Sequence, residues 1–329
     1  MGILFIPTRT YPFKHGAQRL GATVTVLAKP LHPLFAGEVS GVDLRSPVDR
    51  SSFLEIEAAL GRYAVLVFRG QPLADDEQIR FSRLFGPLET SISTIRKDNK
   101  HRLRSEFADI SNLDAENNIR GPGDAWRRGM RRVTELWHTD SSFKRVPGKI
   151  SLLSAREVPP AGGETEFADL RAAYEALDET TKVRVAGLVA EHSIFHSRSV
   201  IGYSEFSEEE RAALPPVPQS LVRVHPGSGR KTLYLASHAS HIVGWPMEQG
   251  RKLLEELIAF ATQSQFVHRH HWQAGDLVVW DNRCTLHRGR PYDDVHYRRD
   301  LRRVTVEDCA PTLEQARSRV AATASRRMP

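Results

Sequence analysis

Short apolar runs alternate with polar segments along most of the chain, and this pattern predicts a strand-rich protein. Runs rich in valine, leucine and isoleucine predict strands at 23–27, 64–68, 150–155, 221–224, 232–236, 276–280 and 302–306. Apolar positions at helical spacing predict helices at 51–63, 75–86, 169–177 and 247–263. Many short strands with few helices favour a mainly β protein, a sandwich or barrel with flanking helices, over repeated βαβ units.

The pattern also divides the chain into segments. Residues 1–22 contain several prolines and glycines but no periodicity, so we expect an N-terminal extension before a single domain at 23–310 and a tail at 311–329. Within that domain, residues 89–133 are polar, basic and aperiodic. A loop of this length is usually functional or mobile, so we expect an active-site loop, with a solvated surface excursion as the alternative. Residues 227–230 predict a hairpin turn and not a phosphate-binding loop.

Composition narrows the class of protein only slightly. The 329 residues include 46 Lys and Arg against 40 Asp and Glu, a net charge of +6, which suits a small anionic ligand as well as nucleic acid. Two cysteines exclude a disulfide scaffold and favour a reducing compartment. No apolar run near the start is long enough for a membrane span or an export signal, so we expect a cytoplasmic protein.

A candidate metal site begins with His138 and Asp140. In an extended segment these two residues point to the same face and could bind one metal ion together. A second histidine would complete a two-histidine, one-carboxylate set, the arrangement that holds Fe(II) and leaves positions open. The pair is a weak signal by itself. Among the later histidines His287 stands out, because it follows the predicted strand 276–280 and precedes the arginine-rich segment 298–303.

Four arginines lie in that segment, and strand geometry separates them into two pairs. Arg299 and Arg303 would share one face of a strand, and Arg298 and Arg302 the other, so only one pair can face the metal. Guanidinium groups bind carboxylates in a bidentate manner, which suits an anionic chelating cosubstrate beside the metal. A surface stripe of arginines is the alternative.

Together these segments resemble the Fe(II)/2-oxoglutarate-dependent dioxygenases of the taurine and 2,4-dichlorophenoxyacetate dioxygenase family. The resemblance runs from about residue 23 to residue 308 and is carried by 65–73, 85–89, 137–143, 162–165, 279–283 and 298–305. Within the family it is strongest to the 2,4-dichlorophenoxyacetate branch, through 138–143, 236–241 and 286–290. The resemblance implies a double-stranded β-helix (jelly roll) core, in agreement with the strand-rich pattern.

The resemblance also implies roles for particular residues. His138, Asp140 and His287 match the iron ligands of the family, and Thr165 matches the threonine that hydrogen-bonds the distal carboxylate of 2-oxoglutarate. The implied cofactors are Fe(II), the cosubstrate 2-oxoglutarate and O2, and ascorbate is expected to stimulate the enzyme.

The arginine that pairs with the same carboxylate depends on how the last segment is aligned. If the segment is aligned to the family pattern through the valine and threonine at 304–305, the pairing arginine is Arg299 and the second arginine is Arg303. Counting from His287 selects Arg298 and Arg302 instead, because this chain has one extra residue in between. We favour the strand anchor, since insertions belong in the loop at 291–296.

The resemblance implies hydroxylation of a small carboxylate. The substrate it favours is an aryloxyalkanoate such as 2,4-dichlorophenoxyacetate, which would break down to a phenol and glyoxylate while 2-oxoglutarate gives succinate and CO2. Alternatives within the same chemistry are a sulfonate or alkyl sulfate dioxygenase and a hydroxylase of another aromatic carboxylate. The substrate-pocket candidates are His225, Thr94, Thr134 and Arg303, with a structural role beside Pro226 and the turn as the alternative for His225. Thr94 stands where the related phenoxyacetate enzyme has a lysine.

A rival function from a different class is nucleic-acid binding by the basic segment 89–133. No recognised nucleic-acid-binding motif accompanies that charge, so this reading is disfavoured. The expected partner is a small anionic organic substrate, with no nucleic acid and no membrane, and a homo-oligomer is compatible with these features.

Overall fold

A computed structural model describes residues 26–95, 100–121, 123–124, 129 and 132–316. Its strands are β1 Leu27–Pro30, β2 Gly37–Ser40, β3 Val65–Phe68, β4 Phe107–Ser111, β5 Gly148–Glu157, β6 Thr165–Asp169, β7 Val189–His192, β8 Val217–Ser220, β9 Val222–Val224, β10 Lys231–Leu233, β11 Ala239–Ile242, β12 Val267–His270, β13 Leu277–Asp281, β14 Thr285–Gly289 and β15 Asp300–Glu307. Its α-helices are α1 Arg50–Tyr63, α2 Asp75–Arg83, α3 Leu170–Ala176, α4 Glu179–Val185, α5 Ile194–Val200, α6 Glu208–Ala213 and α7 Met247–Ala261. Two short 3-10 helices lie at Ile92–Ile95 and Ser264–Phe266.

The larger sheet contains seven strands in the order β1-β2-β3-β13-β5-β15-β4. Neighbouring strands are antiparallel, apart from the parallel pair β2 and β3. The central strands β3 and β13 are buried along their whole length, which explains their continuous apolar sequences.

A smaller sheet, in the order β12-β6-β14, faces the larger one. An isolated antiparallel bridge between His138 and His287 adds the segment around residue 138 beside β14. The core between the sheets includes Phe167 from β6 and Trp280, Leu153 and Leu301 from the larger sheet, all nearly or completely buried. Two facing antiparallel sheets of this kind form a jelly-roll core, so the predicted fold class, mainly β with flanking helices, is confirmed.

Helices cover the outer faces of both sheets. On the larger sheet, Ile56 and Leu60 of α1 pack in one apolar cluster with Leu66 and Phe68 of β3. On the smaller sheet, α3 and α7 share a second cluster with strands β6 and β14. No helix in the described part of the chain is both long and apolar enough to cross a membrane.

The ends of several predicted helices and strands are confirmed within one or two residues. Helix α1 shows which local signals define such ends. Its N-cap is Asp49, whose side chain accepts a hydrogen bond from the backbone N–H of Ser52, and it ends at Ala64 in a left-handed conformation. The predicted turn at 227–230 connects β9 to β10. The predicted strand at 23–27 lies mostly outside the described residues, and strand β1 begins at Leu27.

The segment 89–133 differs from the prediction of a long irregular loop. It contains the 3-10 helix Ile92–Ile95 and strand β4, which forms the edge of the larger sheet beside β15. The Arg102 side chain, almost fully buried, pairs with Asp109 of β4 and Asp300 of β15. Part of the basic charge in this segment therefore attaches it to the sheet and does not face solvent.

Candidate active site

The three predicted metal ligands, His138, Asp140 and His287, lie together at strand β14 and the segment paired with it. The backbones of His138 and His287 exchange two hydrogen bonds, with N···O distances of 3.0 and 2.9 Å, which places the two side chains together. Their Nε2 atoms lie 3.9 and 3.7 Å from Oδ1 of Asp140. One potential ligand atom from each residue lies within 4.8 Å of the other two, so the group could hold a metal ion.

Neighbouring polar groups orient these side chains. Nδ1 of His138 lies 2.7 Å from the carbonyl oxygen of Leu136, and donation to this oxygen leaves the Nε2 lone pair free for a metal. Ser151 donates a 2.7 Å hydrogen bond to Oδ2 of Asp140 and accepts one of 2.9 Å from the Asn282 side chain. Asn282 lies in the segment 279–283 that carries the resemblance, but no sequence signal pointed to Ser151.

The electrostatics keep the three groups in the protonation states that bind a metal. Burial opposes ionisation of Asp140, but Arg303, His287 and His138 outweigh it and lower the pKa of the carboxyl group. Burial lowers the pKa of both imidazoles, that of His287 strongly. The site therefore presents two neutral imidazoles and one carboxylate near neutral pH.

A cavity adjoins these three residues and contains several of the other candidates. Its walls include His138, His287, Thr134, Thr165, Arg299 and Arg303. The Arg303 side chain contacts Oδ1 of Asp140, so this arginine joins the cavity to the metal-ligand group.

Arg299 and Thr165 point to an anionic occupant of the cavity. The Arg299 guanidinium is buried, donates only to the carbonyl oxygens of Ile110 and Gly163, and has no carboxylate partner among the described residues. Burial lowers its pKa to about 10, so it is still a cation at neutral pH. The Thr165 hydroxyl accepts a 3.0 Å hydrogen bond from the indole of Trp272, which leaves its own proton available to a ligand.

The other pair of arginines points away from the cavity. Arg298, about 41% exposed, forms an ion pair with Glu157, and Arg302 forms ion pairs with Asp75 and Asp300. Neither lines the cavity that contains Arg299 and Arg303. The geometry therefore agrees with the alignment that is anchored on the strand.

Two glycines before β6 allow two segments of the cavity wall to pack closely together. Gly162 and Gly163 have φ values of +75° and +73°, the left-handed region that favours glycine. A Cβ atom on Gly162 would lie 2.6 Å from the backbone oxygen of Pro291, and one on Gly163 would lie 3.4 Å from Nε of Arg299. The glycine pair thus lets the 162–163 turn pass close to the loop that precedes β15.

The two threonine candidates for the substrate pocket have different positions. Thr134 lines the cavity beside Gly289. Thr94 lies in the 3-10 helix Ile92–Ile95, donates its hydroxyl proton to the carbonyl oxygen of Ser91, and does not line this cavity.

The expectation for His225 requires a correction. Its imidazole is completely buried, with Nε2 2.9 Å from Oδ2 of Asp281 and Nδ1 2.8 Å from Oγ of Ser228. Both ring nitrogens therefore have protein partners, and the residue does not line the cavity. His225 belongs to a buried polar group at the turn between β13 and β14.

A jelly roll that carries two histidines and one carboxylate beside a cationic cavity is typical of metal-dependent dioxygenases. The profile of the family described as "Taurine catabolism dioxygenase TauD, TfdA family" matches residues 27–305, and the chain belongs to this family. The predicted enzyme class is therefore confirmed.

Individual relatives and solved structures agree with this assignment. The chain is 48% identical over 292 residues to the "Alpha-ketoglutarate-dependent 2,4-dichlorophenoxyacetate dioxygenase" of Cupriavidus pinatubonensis, covering 87% of this chain and 99% of the relative. It is 39% identical to the "(S)-phenoxypropionate/alpha-ketoglutarate-dioxygenase" of Sphingobium herbicidovorans, over 80% of this chain and 89% of that one. The crystal structure of AAD-2 in complex with Mn(II) and N-oxalylglycine matches with a TM-score of 0.80 and 44% identity, over 87% of this chain and 99% of that one.

Proposed function

We propose that the protein is an Fe(II)- and 2-oxoglutarate-dependent oxygenase that hydroxylates an aryloxyalkanoate such as 2,4-dichlorophenoxyacetate. The observation that carries the proposal is the position of Arg299, a buried cation with no described carboxylate partner, in a cavity that His138 and His287 also line. The names of the relatives support the substrate class. We assign this activity to a single domain formed by residues 23–310.

The donor set fits iron. His138, Asp140 and His287 would hold the ion, because two neutral imidazoles and one carboxylate suit Fe(II) and leave other positions open. Bound iron would supply the activation of O2 that oxidation of an unactivated C–H bond requires. Ser151 keeps the second oxygen of Asp140 occupied, so that the first is directed towards the two imidazoles.

The cavity fits 2-oxoglutarate. Arg299 and Thr165 would hold its distal carboxylate, one through a charge-assisted hydrogen bond and the other through the free hydroxyl proton. Arg303 lies closer to the metal ligands and would attract the keto acid end. Fixing both ends of the cosubstrate orients it beside the substrate and lowers the entropic part of the barrier.

The net reaction consumes one aryloxyacetate, one 2-oxoglutarate and one O2. Hydroxylation of the carbon next to the ether oxygen gives a hemiacetal, which separates into a phenol and glyoxylate, while 2-oxoglutarate becomes succinate and CO2. Of the substrate-pocket candidates, Thr134 and Arg303 lie where they could contact such a substrate. Stimulation by ascorbate, a cytoplasmic location and a homo-oligomeric state remain predictions.

The test measures succinate release with Fe(II), ascorbate and 2-oxoglutarate, with and without 2,4-dichlorophenoxyacetate. Wild-type protein should release succinate together with 2,4-dichlorophenol, and His138→Ala should release neither. Sulfite from a sulfonate or an aldehyde from an alkyl sulfate, without phenol from the herbicide, would favour the other branch of the same chemistry. Absence of succinate with every substrate would contradict the proposed metal ligands.

A further inference from the structure

One hydrogen bond joins the cavity to the segment that follows the edge strand of the smaller sheet. Nε1 of Trp272 donates to Oγ1 of Thr165 over 3.0 Å. Thr165 is buried and lines the cavity, whereas Trp272 is partly buried and does not line it. The indole therefore lies behind the threonine, and it can influence a ligand in the cavity through the Thr165 hydroxyl.

The pairing of β12 with β6 brings these two residues together. His270, the last residue of β12, lies opposite Thr165, the first residue of β6. Trp272 follows two residues later and packs against the apolar cluster between the sheets, which includes Phe167 and Leu153. The register of the sheet thus determines which hydroxyl group the indole N–H reaches.

The neighbours of Trp272 hold its ring in place. The His270 ring meets it edge to face, with 4.5 Å between the centroids and 87° between the planes. Nε2 of His270 lies 3.1 Å from Oδ2 of the buried Asp276, and the same oxygen accepts a 2.8 Å hydrogen bond from the backbone N–H of Gln273. Asp276 is also paired with Arg69. The turn that carries Trp272 is therefore fixed by contacts on both sides of the indole.

This hydrogen bond restricts what the Thr165 hydroxyl can do. A carboxylate only accepts hydrogen bonds, so the hydroxyl must donate its proton to bind one. The indole N–H, which only donates, occupies one acceptor position of the oxygen and turns the hydroxyl proton away from Trp272. It also polarises the O–H bond, because hydrogen bonds in a chain strengthen one another. The Thr165 hydroxyl makes no other hydrogen bond to a described residue, so its proton is available to a ligand.

We propose that Trp272 is a positioning residue for the cosubstrate: its indole N–H directs the Thr165 hydroxyl proton to the distal carboxylate of 2-oxoglutarate. Arg299 attracts that carboxylate by charge, whereas Trp272 adds a directional constraint without adding charge. The pair of Trp272 and Thr165 therefore contributes to the preference for a 2-oxo acid that has a second carboxylate. The inference rests on the proposed function and adds to it a residue outside the cavity.

The test is titration calorimetry of 2-oxoglutarate into the Mn(II)-loaded protein, which needs no turnover. Trp272→Phe keeps an aromatic ring but removes the N–H donor, so the Kd should rise about three- to tenfold, as expected for the loss of one hydrogen bond. In turnover the KM for 2-oxoglutarate should rise by a similar factor with little change in kcat. The preference for 2-oxoglutarate over 2-oxobutanoate, which lacks the distal carboxylate, should fall accordingly.

A double-mutant cycle with Thr165→Val separates positioning from packing. Valine has nearly the shape of threonine but no hydroxyl group, so in this background the indole has no proton to direct. Trp272→Phe should then change the Kd for 2-oxoglutarate less than about twofold. The same three- to tenfold loss in both backgrounds would overturn the inference, because the indole would then act by packing alone.

Trp245→Phe is the matched control, since it makes the same chemical change on the other side of the smaller sheet. Trp245 packs against the cluster that contains α3 and α7, and Arg184 lies over its ring. This variant should keep the Kd for 2-oxoglutarate. If Trp272→Phe does not fold, as judged by thermal unfolding, incorporation of benzothienylalanine at position 272 replaces the N–H by sulfur and keeps the shape of the ring.

A folded variant without the N–H donor at position 272, with wild-type Kd and wild-type preference, would overturn the inference and leave the proposed function intact. Absence of 2-oxoglutarate binding to the Mn(II)-loaded wild type is a different result. It would refute the proposed cosubstrate, and the inference with it.

Discussion

Arg303 contacts Oδ1 of Asp140, the same carboxylate oxygen that faces Nε2 of both His138 and His287. A metal ion held by His138, Asp140 and His287 would therefore share this carboxylate with the guanidinium. Two positive charges near one oxygen repel each other, whereas an anion bound between them is attracted by both. Arg303 should consequently weaken binding of the metal alone and strengthen binding of the anionic cosubstrate.

Replacement of Arg303 by glutamine tests this relationship. Arg303→Gln should bind Mn(II) several-fold more tightly than wild type when no 2-oxoglutarate is present, and it should bind 2-oxoglutarate more weakly when Mn(II) is saturating. Titration calorimetry measures both affinities without any turnover. Weaker binding of Mn(II) by the variant would mean that Arg303 mainly orients Asp140.

The hydrogen bond from Ser151 to Asp140 predicts a loss of metal affinity in Ser151→Ala. The variant frees the second carboxylate oxygen to rotate, and loss of such a supporting group typically costs about 10–100-fold in metal affinity. Ser154→Ala is the control, because Ser154 lies on the same strand but donates to Gln78. Equal Mn(II) affinities in the two variants would show that Ser151 does not orient Asp140 for metal binding.

Replacement of the neighbouring residues Arg299 and Arg298 should affect the KM for 2-oxoglutarate very differently. Arg299→Gln should raise the KM for 2-oxoglutarate by about 30-fold or more, since it leaves a buried carboxylate of the ligand without its cation. Arg298→Gln removes an exposed ion pair with Glu157 and a hydrogen bond to the carbonyl oxygen of Asn117, both outside the cavity, and should change that KM less than about twofold. The reverse order of effects would select the other arginine alignment.

Local patterns predicted much of the fold. Helix α1 was expected at 51–63 and spans Arg50–Tyr63, and strand β13 was expected at 276–280 and spans Leu277–Asp281. Both have strong local signals: a cap and an apolar stripe in the helix, and a continuous apolar run in the strand. The pairing of His138 with Asp140 was visible for the same reason, because two residues of one extended segment share a face.

Structural features that depend on residues far away in the sequence could not be predicted from local patterns. Strand β4 has a half-buried sequence and becomes a strand through its pairing with β15, about 190 residues later in the chain. Strand β5 contains both Ser151 and Ser154, and only the tertiary structure shows that Ser151 is the one that reaches Asp140. His225 had a reasonable local context for a substrate contact, but its partner Asp281 comes from another strand.

The buried pair of His225 and Asp281 predicts a pH-dependent stability. Burial opposes the charged imidazolium, but the neighbouring Cys284 and Asp281 outweigh it and raise the pKa of His225 to about 9. A raised pKa stabilises the folded state below the unfolded pKa of about 6.5, and this contribution is lost as the pH rises through 9. The contribution is at most about 3 kcal/mol.

Urea unfolding of wild type and His225→Gln at pH 6, 7.5 and 10 measures this contribution. The advantage of wild type should be largest at pH 6 and smallest at pH 10, since glutamine does not titrate. His101→Gln, at an exposed position, should match wild type at each pH. An advantage that stays constant or grows with pH would show that His225 is neutral in the folded protein.

The close approach of Gly162 to Pro291 predicts that a methyl group at position 162 strongly destabilises the folded protein. Gly162→Ala combines the strain of a left-handed alanine, about 1–2 kcal/mol, with a contact of 2.6 Å to a backbone oxygen that a side-chain rotation cannot relieve. Gly229→Ala has a similar φ of +70° but meets nothing within 4 Å, so it isolates the strain alone. We expect Gly162→Ala to lose more unfolding free energy than Gly229→Ala and, because Gly163 contacts Arg299, to raise the KM for 2-oxoglutarate as well. Equal losses of stability, with unchanged KM in both variants, would mean that the turn at 162–163 moves away from Pro291 without disturbing the cavity.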